Sequence, residues 1–319
     1  MTDKTQLNFV PPSPSSEAQI MKKWKDDSNV MVSVICITYN HASFIETALN
    51  SILMQKTHFR YEILLRDDAS TDGTSDIVRS YAEKYPNIVR AVIEPENTYS
   101  KGVTPWGVLF PMSKGKYLAH CEGDDYWTDN TKLEQQVSFL ENNSDYVICY
   151  HDYFVIDDTS GELLASAPEK HTVDLTKEAM CDGVQPHTAT RCYRNVLELP
   201  PEFESVKAGD IFVISLLSQF GQGKFLKSLG PSVYRKHEGG AWSGANQKGK
   251  REQMATTFFH LSAYYQRVGE TSKAQRISLS ALQEMVAALD ISKAIVTKLF
   301  LKIVFPKFYD GLKRFKKGN

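Results

Sequence analysis

This chain of 319 residues has no glycine-rich phosphate cradle. The loop after its first apolar run, Thr38-Tyr39-Asn40, contains no glycine. That excludes the G-x-G-x-x-G turn through which a backbone approaches a dinucleotide pyrophosphate. No G-x-x-x-x-G-K-[ST] loop occurs either. A nucleotide bound here must therefore be held by side chains and a cation. The five cysteines, Cys36, Cys121, Cys149, Cys181 and Cys192, form no C-x-x-C pair, and four of them fall in apolar runs that read as strands. Buried, reduced thiols are expected, not disulfides or a thiolate metal site. The formal net charge of −1 gives no reason to expect nucleic acid as a partner. No run approaches the roughly 18 apolar residues of a membrane span. Residues 1–17 are polar and rich in Pro and Ser, without the apolar centre of a secretory signal. A cytoplasmic protein is the expectation.

What is present is an alternation. Residues 32–37, 61–65, 88–93, 117–121 and 146–150 are short β-rich apolar runs, of which 32–37 reads as buried on both faces. Between them, residues 44–53, 75–84 and 131–142 carry apolar side chains at helical spacing. Such alternation predicts βαβ units, that is, an α/β fold with a mostly parallel sheet flanked by helices. Further on, a hairpin turn is expected at 157–161, a strand at 188–193 and a helix at 210–220. From about Arg251 the pattern is helical throughout. The expected layout is a flexible lead-in over 1–30, one catalytic domain over 31–245, and a helical C-terminal region with a basic tail over 246–319.

In an open α/β sheet, ligands bind outside the carboxyl ends of the strands. The segments there are Thr38-Tyr39-Asn40, then residues 67–74 (DDASTDGT), then residues 122–127 (EGDDYW). Asp124 and Asp125 offer hard oxygen ligands suited to Mg²⁺ or Mn²⁺, with Gly123 permitting a tight turn. Asp210 opens a helix, where an acid also suits capping alone. Residues 234–243 (YRKHEGGAWS) combine Arg235, His237 and a glycine pair. They could fold over a diphosphate and supply a phosphate contact and a further metal ligand. Trp127 and Trp242 serve either as sugar-facing rings or as core.

The ordered set VSVICITYNHASFIETALNSIL, YEILLRDDASTDGT and GKYLAHCEGDDYW resembles the family 2 glycosyltransferases. The resemblance is strong over residues 32–127 and weaker to about Gly244. It implies a glycosyltransferase A-type fold and an inverting transfer from a nucleotide-diphosphate sugar, in bacterial polysaccharide or surface-glycan synthesis. Thr38 and Tyr39 match positions that contact the nucleobase. Asp68 matches the acid that accepts from a uracil ring, which implies a UDP-sugar. Asp124 matches the ribose-side carboxylate and Asp125 the metal ligand. Asp210 matches the catalytic base, and Arg235 and His237 match an R-x-H-x-G-G segment. Many members carry Asp where this chain has Glu122, which leaves the role of Glu122 open.

Two other readings remain at this point. One is a non-catalytic nucleotide or sugar binder on a transferase scaffold. The other is a sugar nucleotidylyltransferase, against which the glycine-free first loop argues. The partners implied by the resemblance are a nucleotide-sugar donor and a glycan or lipid-linked acceptor. From Lys293 onward, eight Lys or Arg stand against one acid, Asp310. With apolar residues interspersed over 294–305, that end is expected to dock on the anionic inner face of a membrane.

Overall fold

The computed structural model describes residues 9–289, apart from 207, 241–243 and 245. The chain divides into two units, residues 1–244 and 245–319. The first unit begins with α1 (Glu17–Met21) and β1 (Asp26–Thr38), followed by α2 (Ile45–Leu53), β2 (Phe59–Asp67), α3 (Thr74–Lys84) and β3 (Val89–Ile93). After a short α4 (Pro105–Leu109) come β4 (Tyr117–His120), β5 (Tyr126–Trp127), α5 (Lys132–Asn142) and β6 (Tyr146–Tyr150). Then follow β7 (Tyr153–Asp157), β8 (Leu163–Ser166), α6 (Lys177–Cys181), β9 (Cys192–Arg194), α7 (Gly209–Leu217), β10 (Gln222–Phe225) and β11 (Ser232–Lys236).

Seven strands form one sheet in the order β10-β6-β9-β4-β1-β2-β3. β1 pairs in parallel with β2 and β4, and β2 with β3, while β9 runs antiparallel to both β4 and β6. The α/β reading and its mostly parallel sheet are therefore as expected. β1 and β2 are central because their inner residues are apolar on both faces: Val32, Val34, Ile35 and Cys36 in one, Ile63, Leu64 and Leu65 in the other, all at most 1% exposed. α2 covers the sheet with Ile45, Ala48, Leu49, Ile52 and Leu53, a stripe at i, i+3, i+4, i+7 and i+8. Each large side chain buried this way contributes roughly 1.5–3 kcal/mol. All five cysteines are free and buried.

Several expectations need correction. Residues 1–30 are not simply a lead-in, because Ile20 and Trp24 join the main core and β1 starts at Asp26. The strand expected over 188–193 is a 3-10 turn, Thr188–Thr190, followed by the short β9. The helix expected over 75–84 starts at Thr74 and has Gly73 as its N-cap, at φ 99°, a backbone angle glycine tolerates. A second sheet, in the order β5-β11-β7-β8, was not foreseen. It matters for function, because it pairs β5 at the acidic loop with β11, which carries Arg235.

The second unit contains α8 (Gln247–Arg267) and α9 (Thr271–Ala288). They form an antiparallel hairpin, closed by Gly269 at φ 84°. Arg251 pairs with Glu284 at 3.1 Å, and the Ser262 hydroxyl donates to the Ala274 carbonyl at 2.9 Å. Among the described residues, no helix is long and apolar enough to cross a membrane. The basic tail beyond residue 289, with its expected membrane role, lies outside the described residues.

Candidate active site at the strand ends

Three loops meet beyond the carboxyl ends of β1, β2 and β4, and each is held by the next. In the first loop Asn40 takes the left-handed conformation, φ 54°, which Asn tolerates better than most residues. Its amide donates to the Ser70 hydroxyl at 2.8 Å, and its side-chain oxygen accepts from the Thr71 amide at 2.9 Å. The His41 amide donates to the Thr74 hydroxyl at 2.9 Å, and the Ala42 amide to Asp72 at 2.9 Å. The second loop also bends through a left-handed residue, Ala69, φ 62°. An alanine held there stores about 1–2 kcal/mol of strain, which the latches between the two loops offset.

The third loop extends the pairing of β4 with β1. The Cys121 amide donates to the Ile35 carbonyl at 3.1 Å and the Gly123 amide to the Ile37 carbonyl at 2.9 Å. A Cβ on Gly123 would lie 2.7 Å from the Thr38 hydroxyl and 3.1 Å from His41 Nδ1. Glycine is needed at this position for the close approach of two loops.

This crossing brings acids together. Ligand-capable atoms of Glu122, Asp124 and Asp125 lie within 4.8 Å of one another, as do those of His41, Asp124 and His237. Burial, then the charges of Asp124 and Asp210, push the Glu122 carboxyl up to about 8, against the opposing pull of Arg191. Burial and its acidic neighbours Asp124 and Glu122 also raise Asp125. Burial works to raise Asp124 too, but the His237 hydrogen bond and the His41 charge outweigh it and hold that carboxyl low. Asp125 is fully buried. Its Oδ1 accepts from the Arg235 amide at 3.2 Å, and its Oδ2 has no hydrogen-bond partner among the described residues. Three carboxylates this close, one with an unsatisfied buried oxygen, fit a divalent cation by charge and by donor type.

The residues singled out from the sequence divide accordingly. Asp124, Asp125 and His237 converge, with His237 Nε2 3.2 Å from Asp124 Oδ2. Asp210 lies in the first turn of α7, and its charge acts on Glu122. It is not the N-cap; Ala208 is, and Asp210 accepts from the adjacent Ile211 amide at 2.9 Å. Tyr39 is 43% exposed at the rim. Thr38 points inward instead: it is fully buried against Gly123, and its hydroxyl has no partner among the described residues. Its backbone carbonyl accepts from the Asp68 amide at 3.1 Å.

Asp68 is buried and already engaged. It accepts from Arg66 at 3.0 Å, from the Thr98 hydroxyl at 2.7 Å and amide at 3.1 Å, and from the Tyr99 amide at 3.0 Å. Burial pushes its carboxyl up, but these hydrogen bonds and the Arg66 charge outweigh that and leave it below the ordinary range.

Arg235 sits on β11, paired with β5 and β7, where a segment folding over a diphosphate was expected. It is 5% exposed, donates to the carbonyls of Asp124 and of Phe44, the latter at 3.0 Å, and lies 4.7 Å over the Phe44 ring and 5.3 Å over the Tyr126 ring. In this arrangement its guanidinium clamps the acidic loop; a phosphate contact was expected of it. Trp127 is core: it is fully buried, and its indole N–H donates to the Ala189 carbonyl at 2.8 Å. Trp242 lies outside the described residues.

Two participants escaped the sequence reading. His41 lies 3.6 Å from Asp124 through Nε2, and the signal for it was its place directly after Thr38-Tyr39-Asn40. Arg191 is fully buried, 5.1 Å over the Trp106 ring, with Nε and Nη1 making no hydrogen bond among the described residues. Nothing in its local sequence marks it.

Comparison with known proteins gives the following. The model of glycosyl transferase family 2 matches residues 33–194, just over half the chain. An uncharacterized protein of Mycobacterium tuberculosis is 31% identical over 67% of this chain and 61% of its own length. The putative teichuronic acid biosynthesis glycosyltransferase TuaG of Bacillus subtilis is 33% identical over 48% of this chain and 58% of its own. A UDP-Glc:alpha-D-GlcNAc-diphosphoundecaprenol beta-1,3-glucosyltransferase of Escherichia coli, WfaP, is 32% identical over 40% of this chain and 48% of its own. The chain thus spans about half to three fifths of the length of the curated relatives it matches. Among solved structures, S. aureus TarS 1–349 in complex with UDP-GlcNAc covers 85% of this chain and 76% of its own, at TM-score 0.59 and 19% identity. The mannosyltransferase PcManGT from Pyrobaculum calidifontis, in complex with GDP-Man and Mn²⁺, covers 93% of this chain and 88% of its own, at TM-score 0.51 and 18% identity. At these identities the likeness to the solved structures shows the fold.

Proposed function

The chain belongs to glycosyl transferase family 2, and on that basis we propose that it is an inverting glycosyltransferase acting on a nucleotide-diphosphate sugar, with UDP as the nucleotide. The observation that carries the reading is the convergence of Glu122, Asp124 and Asp125 at the end of β4, with the charge of Asp210 reaching Glu122 across the same edge. A solvated acidic turn would spread its carboxylates into water. Here one of them is fully buried and another pushed up to about 8.

Asp210 is the general base. It takes the proton of the acceptor hydroxyl as that oxygen bonds to the anomeric carbon and the bond to the diphosphate oxygen breaks. One base acting in one step inverts the anomeric centre, so an α-linked donor gives a β-linked product. Asp125 and His237 would hold a divalent cation, Mn²⁺ or Mg²⁺, beside Asp124. When bound, such a cation supplies positive charge to the departing diphosphate. Arg235 positions this loop from behind. Tyr39 and Asp68 flank the nucleobase side, with Thr38 supporting them from beneath the loop.

The acceptor is a hydroxyl of a growing bacterial glycan, presented on a lipid carrier at the inner membrane face. The relative from Escherichia coli, named for an acceptor joined to diphosphoundecaprenol, supports this, as does the excess of basic residues after Lys293. A donor screen by nucleotide release with and without Mn²⁺, followed by mass analysis of the product, tests the reading. Metal-dependent release of UDP from at least one UDP-sugar is expected. Absence of release and of transfer from every donor overturns it.

A further inference from the structure

Building on the reading of the acidic edge as a cation site, we propose that His41 is a metal-binding residue, and that His41, His237 and Asp124 together favour Mn²⁺ or Co²⁺ over Mg²⁺. The imidazoles of His41 and His237 approach the same oxygen, Asp124 Oδ2, through their Nε2 atoms, at 3.6 and 3.2 Å. The two nitrogens and the carboxylate oxygen lie within 4.8 Å of one another. The two rings stand 5.7 Å apart and nearly perpendicular, edge-on and not stacked.

The position of His41 is built from both sides. Its amide is tied to the Thr74 hydroxyl, and the ring meets Phe44 edge-on at 6.1 Å. Phe44 also carries the His237 ring, at 4.5 Å. The missing Cβ of Gly123 gives the His41 ring its room. The side chains of His41 and Asp124 are 11% and 14% exposed, open enough for a small cation and closed to bulk water. A second, independent sign lies beside them. Asp125 Oδ2 is fully buried and has no hydrogen-bond partner among the described residues.

Donor chemistry decides the preference. Mg²⁺ takes oxygen ligands in a near-ideal octahedron and gains little from imidazole, whereas Mn²⁺ and Co²⁺ accept nitrogen and oxygen together. The all-oxygen set of Glu122, Asp124 and Asp125 would suit either class of cation. Sharing Asp124 with two imidazoles tips the site toward the transition metals.

The test uses the full chain, stripped with EDTA and titrated with Mn²⁺ and with Mg²⁺, with and without UDP. Pulsed EPR of the bound Mn²⁺ reads coordinated nitrogen directly. Nitrogen coupling is expected in the wild type, reduced in His41→Ala and in His237→Ala, and lost in the double variant. Mn²⁺ affinity should fall by at least about tenfold in His41→Ala, with Mg²⁺ affinity nearly unchanged. His41→Gln, which keeps the bulk of the ring, should behave like His41→Ala and carries the test if the alanine variant fails to fold. Oxygen-only coordination of Mn²⁺ in the wild type, or unchanged nitrogen coupling and Mn²⁺ affinity on loss of His41, overturns the role of His41 and leaves the cation site standing. Failure of the wild type to bind either cation, with or without UDP, overturns both.

Discussion

A Cβ on Gly123 would lie 2.7 Å from the Thr38 hydroxyl, closer than real side chains approach. That contact joins the end of β1 to the acidic loop after β4, and His41 leans on the same gap at 3.1 Å. Gly123→Ala therefore has to push the loop outward. We expect a stability loss of about 1–3 kcal/mol by overpacking and a larger loss of transfer, since Glu122, Asp124 and Asp125 all move with the loop. Chemical denaturation and turnover, measured side by side, check this. A variant with unchanged turnover would show that the loop tolerates displacement.

Asp125→Asn should act in opposite directions on fold and on function. In EDTA it replaces one of three crowded carboxyls, the one whose charged form burial and its acidic neighbours already disfavour, so the metal-free protein should be no less stable than the wild type. Transfer should be abolished, and added Mn²⁺ should no longer raise the melting temperature. Near-normal turnover, or full wild-type activity in EDTA, contradicts the assignment.

Asp210→Asn keeps size and removes the proton acceptor. Turnover should fall by ~10²–10⁴ while donor affinity, measured calorimetrically with UDP, stays close to the wild-type value. A collapse of donor affinity with turnover retained would make Asp210 a binding residue instead.

Asp68 combines a binding role with a structural one. Asp68→Ala leaves Arg66, fully buried, with Glu94 at 2.9 Å as its remaining carboxylate partner, and frees the amides of Thr98 and Tyr99. Removing one partner of a buried pair costs about 3–5 kcal/mol, so both stability and UDP affinity should fall. The folded Asp68 carboxyl lies below its ordinary value, with its hydrogen bonds prevailing over burial. A depressed folded value stabilises above the unfolded-chain pKa of about 3.9 and is lost as pH falls through the lower folded one. The penalty of Asp68→Ala should thus be full at pH 7 and shrink toward pH 3. A penalty independent of pH would mean the charge of Asp68 contributes little.

The parallel half of the main sheet was legible because β1, β2 and β4 carry short, largely apolar runs of buried residues, broken only by single polar ones such as Ser33, Glu62 and His120. Their loops followed from the rule that ligands gather at carboxyl ends, which is why Asp124 and Asp125 could be singled out, whereas Asp210 was marked by its place at the start of a helix and by the family resemblance. The second sheet was not legible. β5 has two residues and β11 mixes polar with apolar side chains, so neither carries a period. The setting of Arg235 depends on a bond to the Phe44 carbonyl 191 positions away. His41 was missed for the same reason: its nearness to Asp124 depends on the space left at Gly123, a tertiary fact.

The final prediction concerns the basic end, whose argument is compositional. Lys298 and Lys302 interrupt an apolar stretch over 294–305, and Lys313, Arg314, Lys316 and Lys317 follow within five positions. Each basic residue near an anionic leaflet contributes about 1 kcal/mol, and apolar side chains add to this by entering the interface. A lipid-linked acceptor is confined to that surface, so docking there would raise its local concentration at the site. The full chain should sediment with vesicles containing anionic lipid at low salt, and release as salt screens the charges. A chain ending at Ile291 should stay in solution while still releasing UDP from the donor when given a soluble acceptor analogue. If both forms sediment equally, or neither does at low salt, the basic end has no docking role and the acceptor must be met by the catalytic unit alone.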